Sequence, residues 1–349
     1  SWITGNNNAA KSVYGEGLVI PYRAVMETPV GQGPYYAYII WDTREKSKHA
    51  IDYITTFDDT VADANPCLGI AGCAANGFFD ATIPPDPQVQ NGTWSMPTNG
   101  KIRLYGGVID FVGVDPANPS SGVPTYTYPE GTGLDGASRQ SGIIIKFTPV
   151  QDITVLAWGG HIASRLNWGP GTSAGAIGGS PYHMRSGGIG TSGDNVSGGN
   201  QDLPLAADAV LLESQIFIVK DEKPDPGTNH PFTFTAPTSL EADGTFTLRD
   251  PNAPLKAFSG IFDYQSYTFT EDPASGYTLS FASDACVYAD RPTEDPPFSK
   301  DWTTSEANRS VTIDLAEGDV ITCTFINTVQ DGKLTIEKVT DPASSAPDS

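Results

Sequence analysis

The chain has 349 residues with 41 acidic and 20 basic side chains, a net charge of −21 that repels phosphate backbones and excludes nucleic-acid binding as a reading. Its 37 Gly and 28 Pro leave little room for long helices, while 15 Phe, 14 Tyr and 6 Trp supply core material, which argues against wholesale disorder. No run approaches 18 consecutive apolar residues, so no membrane-spanning helix is expected.

Taken in chain order, the apolar residues mostly alternate at period two, the signature of half-buried strands. Strands are expected at Tyr35–Trp41, Ile102–Val112, Ile143–Phe147, Ile153–Trp158 and Ala209–Leu212. Helical spacing occurs over Lys48–Thr55 (KHAIDYIT), where one short helix is expected. The glycine-rich stretch Gly169–Gly199 reads as an ordered loop region on one edge of this first unit. Its strand count suits a β-sandwich or jelly-roll-like domain over residues 1–214.

A second rhythm starts at Gln215. Strands are expected at Ile216–Lys220, Phe232–Thr235, Gly244–Leu248, Ser266–Glu271, Tyr277–Phe281, Ser310–Leu315 and Val320–Asn327. Seven short strands with closely spaced turns give an immunoglobulin-like or transthyretin-like sandwich over residues 215–330, so the fold class is all-β. Residues 331–349 follow as an orphan strand and tail. Gly332–Pro342 (GKLTIEKVTDP) echoes Ser214–Pro224 (SQIFIVKDEKP), with Leu334 matching Ile216, Ile336 matching Ile218 and Lys338 matching Lys220. A repeat of this period implies tandem modules. The segment is then either the start of a third repeat or a donor strand, with Leu334, Ile336 and Lys338 on one face, completing a sandwich in a neighbouring copy.

The four cysteines fall as two local pairs, Cys67 with Cys73 and Cys286 with Cys323, neither with metal-site spacing. Two disulfides formed in an oxidising compartment is the preferred reading over four reduced thiols, and it places the protein outside the cell. In the second unit, strand parity puts Lys220 on the face of Ile216 and Ile218, Glu271 on that of Tyr267 and Phe269, and Asn327 on that of Cys323 and Phe325. A Lys, a Glu and an Asn therefore point into the expected core from the first, a middle and the last strand. Burying them singly is expensive, so they should find one another.

The stretches IFIVKD, YTFTEDPASGYTL and TCTFINT resemble the transthyretin-like (prealbumin-like, CNA-B type) repeats of bacterial surface proteins and pilins. The resemblance implies that Lys220 and Asn327 can join in an intramolecular isopeptide bond, with Glu271 handling the protons of this autocatalytic step. Desolvation favours a neutral amine as nucleophile and a neutral acid to polarise the amide. The alternative is an uncrosslinked, hydrogen-bonded trio. The first unit resembles a domain found at the start of large secreted bacterial proteins, through VIPYR, WDTREKSKHAIDYITTF, NPCLGIAGC, WGGHIAS, GSPYHMR and GGNQD. That resemblance implies location and architecture, with no reaction attached.

Other chemistry is sparse. His49, His161 and His183 lack metal-site spacing and read as structural. Ser180 precedes Pro181 and is no nucleophile elbow. Asp58/Asp59 and Asp194/Asn195 sit in turn-like contexts that Ca²⁺ could use, but neither follows an EF-hand loop, and no cofactor is expected. The expected function is a non-enzymatic structural subunit of a bacterial surface filament, self-assembling head to tail. The alternative is an adhesin whose Trp158, Trp168 and Tyr182 form a glycan-binding face beside the Gly-rich region.

Overall fold

The computed structural model describes residues 2–74, 77–89, 96–113, 125–132, 135–179, 181–191, 201–292, 298–330, 332 and 335–337. The chain divides into two compact units, Ser1–Ser214 and Gln215–Ser349. Both are built almost wholly of strands.

In the first unit, one sheet runs in the order Val19–Glu27, Ile153–Ile162, Lys101–Tyr105, Phe78–Thr82, with Ile51–Thr55 also paired to Ile153–Ile162. The other runs Gln201–Leu205, Tyr182–Gly190, Tyr35–Glu45, Arg139–Pro149, Gly107–Val112. Alternation drives the packing: Tyr35, Ala37, Ile39 and Trp41 are buried from the second sheet, and Ile20, Tyr22, Leu104, Leu156 and Trp158 meet the same core from the first. Each Ile or Leu in this core contributes about 1.5–3 kcal/mol on burial.

Three sequence expectations are corrected here. Lys48–Thr55 is not a helix. It is a hairpin return, Lys48–His49, followed by the strand Ile51–Thr55, all five of whose residues are buried. A strand covered on both faces loses its alternation, so the two Ile at i and i+3 imitate a helical face. The turn before it places Lys46 and Ser47 at φ 50° and 64° without Gly or Asn, which hid the hairpin.

The expected single strand Ile102–Val112 is two strands in different sheets. The chain turns the corner at Gly106 (φ 77°), where an added Cβ would lie 2.6 Å from the Ile153 carbonyl oxygen. The Gly-rich region also contains a strand: Tyr182–Gly190 pairs with Tyr35–Glu45, and Gly187 lets the Tyr38 ring lie within 2.4 Å of where a Cβ would stand.

In the second unit we label β1 (Ser214–Lys223), β2 (Phe232–Thr235), β3 (Thr245–Leu248), β4 (Leu255–Ile261), β5 (Ser266–Glu271), β6 (Tyr277–Ser280), β7 (Cys286–Asp290), β8 (Trp302–Ser305), β9 (Ser310–Asp314) and β10 (Val320–Val329). One sheet runs β4-β1-β10-β6, with β7 also paired to β10; the other runs β3-β2-β5-β9-β8. The strands β4, β7 and β8 were not expected from sequence, because their side chains are largely exposed and give no regular apolar face. The first and last strands, β1 and β10, are parallel neighbours, with Lys220 opposite Phe325 and Glu222 opposite Asn327. Phe234 packs between the rings of Phe246 and Phe325, each 5.1 Å away, and joins the two sheets.

Both cysteine pairs are disulfides, Cys67–Cys73 and Cys286–Cys323, and the second ties β7 to β10 where the two residues face each other in the ladder. No helix among the described residues is long and apolar enough to cross a membrane.

Candidate functional site

Strand parity delivers Lys220, Glu271 and Asn327 to one buried point. Lys220 and Asn327 lie two ladder positions apart on the same face of the parallel pair β1/β10, and Glu271 ends β5 in the facing sheet. All three are almost completely buried. The Lys220 ammonium nitrogen Nζ donates to the Phe325 carbonyl at 2.9 Å, lies 4.3 Å above the Phe232 ring, and stands 3.4 Å from Glu271 Oε2. Asn327 Nδ2 donates to Glu271 Oε1 at 2.6 Å, the amide orientation that satisfies the carboxylate. Asn327 Oδ1 accepts no hydrogen bond among the described residues. Burial pulls the Lys220 pKa down to about 8 against the opposing charge of Glu271. An amine so lowered supplies a useful neutral fraction near physiological pH, and Glu271 adjoins both it and the Asn327 amide.

Sequence reading missed a fourth member. Arg309, in the turn between β8 and β9, reaches Glu271 Oε1 with Nη2 at 2.5 Å and the Glu271 carbonyl with Nε at 3.0 Å. A turn arginine after Glu306-Ala307-Asn308 carries no inward parity, so only the folded hairpin reveals it. A second buried acid, Glu222, was also missed. Its Oε1 accepts from Thr228 Oγ1 at 2.5 Å and from the Tyr277 hydroxyl at 2.9 Å, and these bonds hold its pKa below the usual carboxylate range despite burial.

His161 Nδ1 and Trp168 Nε1 bond the two oxygens of buried Asp52 at 2.7 and 3.0 Å. His49 stacks on Trp168 at 3.6 Å, and Arg44 Nη1 donates to its Nε2 at 2.9 Å, so this imidazole is neutral; burial, with the Arg44 charge, pulls its pKa down to about 4. His183 pairs with Asp42 at 3.1 Å. Asp59 accepts from Thr55 Oγ1 at 2.8 Å. Among the described residues the one grouping with metal-ligand geometry is Asp221, Asp225 and Asp250, and the Lys223 ammonium lies 3.2 and 2.7 Å from the first two. Ser180, Asp194, Asn195, Leu334 and Lys338 lie outside the described residues; Ile336 is 82% exposed and in no strand.

The aromatic face expected for glycans is corrected. Trp158 and Tyr182 are core residues, 2% and 0% exposed, and Trp168 is engaged by His49 and Asp52, so the three offer no surface platform.

Residues 217–329 match the family model of a prealbumin-like fold domain. The second unit is a prealbumin-like β-sandwich. The match covers about a third of the chain, the stretch from β1 to β10 that holds Lys220, Glu271, Arg309 and Asn327. No curated protein matches the sequence. Among solved structures, an adhesin from Mobiluncus mulieris containing intramolecular disulfide, isopeptide and ester bond cross-links is 10% identical over 73% of this chain and 100% of that one, with a TM-score of 0.24. The group B streptococcus pilus 2b backbone protein is 13% identical over 92% and 96%, with a TM-score of 0.25. BcpA, the major pilin subunit of Bacillus cereus, is 9% identical over 94% and 67%, with a TM-score of 0.25.

Proposed function

We propose that the protein is a structural, non-enzymatic component of a bacterial surface filament or adhesin, working outside the cell, and that its prealbumin-like domain is locked by an amide bond between Lys220 and Asn327. One observation carries this reading: an amine, a carboxylate and a carboxamide converge, fully buried, from the first, a middle and the last element of the sandwich. Fold stability alone gives little reason for such a trio, since apolar residues of similar volume serve equally well in a core. Two disulfides in a strongly acidic chain agree with an oxidising, extracellular setting.

In the bond-forming step Lys220 passes a proton to Glu271 and attacks Asn327 Cγ as a neutral amine. Glu271 gives that proton to Nδ2 and takes the second Nζ proton, the Cγ–Nδ2 bond breaks, ammonia leaves, and the proton left on Glu271 is released to solvent. Proximity supplies the rate for a reaction that happens once per molecule. A bond joining β1 to β10 would carry tension across the domain without unfolding what lies between them. Intact-mass spectrometry tests it: the native chain should be lighter than its sequence by one ammonia beyond the hydrogens lost to two disulfides, and Glu271→Ala should restore that mass. A native chain short only of the disulfide hydrogens overturns the cross-link.

Assembly follows as a finer reading. Ile336, exposed and in no strand among the described residues, belongs to a segment whose sequence mimics β1, and we read the segment as a strand offered to a second copy. Head-to-tail donation does not close on itself and yields a filament.

A further inference from the structure

Glu271 is held from three sides. Lys220 approaches Oε2 from β1, Asn327 donates to Oε1 from β10, and Arg309 donates to the same Oε1 from the β8–β9 turn. The turn is built to deliver this contact. Arg309 takes the left-handed backbone (φ 55°), its N–H donates to Glu306 O at 3.2 Å, and its carbonyl accepts from the Glu271 N–H at 2.9 Å. The guanidinium then reaches back to the Glu271 carbonyl and carboxylate together, a two-point clamp that a lysine could not copy.

The clamp opposes the chemistry. Arginine keeps its charge at every accessible pH, and a guanidinium bonded to a buried carboxylate favours the anion. Amide formation first needs Glu271 to accept the Lys220 proton and then to donate to the leaving nitrogen. The Lys220 proton must arrive at Oε2 while the Arg309 guanidinium holds Oε1, so a fixed positive charge opposes the transfer and leaves more Lys220 as ammonium and less as nucleophile.

We propose that Arg309 is a positioning residue that sets the pace of cross-linking: it fixes Glu271 against the Asn327 amide as a carboxylate, and restrains proton transfer from Lys220. This deepens the Lys220–Asn327 reading and rests on it. The balance of the step is unchanged, with the Nζ–Cγ bond formed, the Cγ–Nδ2 bond broken and ammonia released; Arg309 exchanges no proton.

The full chain, refolded from urea-solubilised inclusion bodies between about pH 5 and 9, should be quenched at intervals and weighed for ammonia loss. Arg309→Met is expected to raise the plateau rate by about tenfold or more and to move the acid limb of the pH–rate profile up by about one unit or more, the usual range for removing an arginine beside a carboxylate. Arg309→Lys, which keeps the charge but loses the two-point clamp, should fall between wild type and Arg309→Met and controls for loss of the guanidinium from the turn. An Arg309→Met chain that reacts no faster, with its acid limb unmoved, overturns the proposal and leaves Arg309 a turn-stabilising residue. If no variant loses ammonia, the cross-link itself has failed. The Arg309 assignment concerns that bond and falls with it.

Discussion

Replacing Lys220 by Met gives a test whose sign depends on the chemistry. Lys220 and Asn327 close a loop of about 107 residues, and the Cys286–Cys323 disulfide inside it shortens the path through the unfolded chain to roughly 70. In the loop-entropy account an amide across that path stabilises the domain by about 4.4 kcal/mol. If the bond forms, Lys220→Met forfeits this, a large part of a typical domain's 5–15 kcal/mol, and lowers the urea midpoint by about 2 M at a slope of about 2 kcal/mol per M. If the bond does not form, the substitution removes a fully buried ammonium and leaves Glu271 still paired with Arg309 and Asn327. An apolar side chain of similar length then leaves stability unchanged or raises it, because the buried carboxylate keeps a charged partner in Arg309. Urea unfolding read by hydrogen exchange of β10 peptides reports the second unit alone. A midpoint equal to or above wild type, with no ammonia missing from the wild-type mass, would refute the cross-link and the loop argument together.

Three further outcomes are expected. Breaking Cys286–Cys323 (separation 37) should cost about 3.8 kcal/mol and breaking Cys67–Cys73 (separation 6) about 2.2 kcal/mol, so serine pairs at the two sites should rank in that order by urea midpoint. His49 titrates near 4 when folded and near 6.5 when unfolded, so the unfolded chain binds more protons between these values. Stability of the first unit should therefore fall by up to about 2 kcal/mol as pH drops from about 6.5 to 4, and His49→Phe, which keeps the stack on Trp168, should flatten the slope in tryptophan-fluorescence unfolding. Deleting residues 331–349 should abolish filaments seen by negative-stain microscopy while leaving both units folded; filaments that persist would sink strand donation.

The amino-acid sequence by itself determined the all-β class, because alternation at period two is a local property that a strand buried on one face must show. It also determined the inward parity of Lys220, Glu271 and Asn327, since each shares a face with apolar neighbours two and four residues away. Elements with other surroundings were not legible. Ile51–Thr55 is covered on both faces and so looked helical; β4, β7 and β8 are largely exposed and so looked like loops. Whether three inward side chains meet depends on which strands become neighbours, and only the tertiary structure set β1 beside β10 with β5 across from them. Arg309 shows the limit most clearly. Its reach to Glu271 comes from a left-handed turn residue that folds its side chain back across the sheet, and no periodicity in the chain encodes a contact made by a turn with a strand 38 residues away.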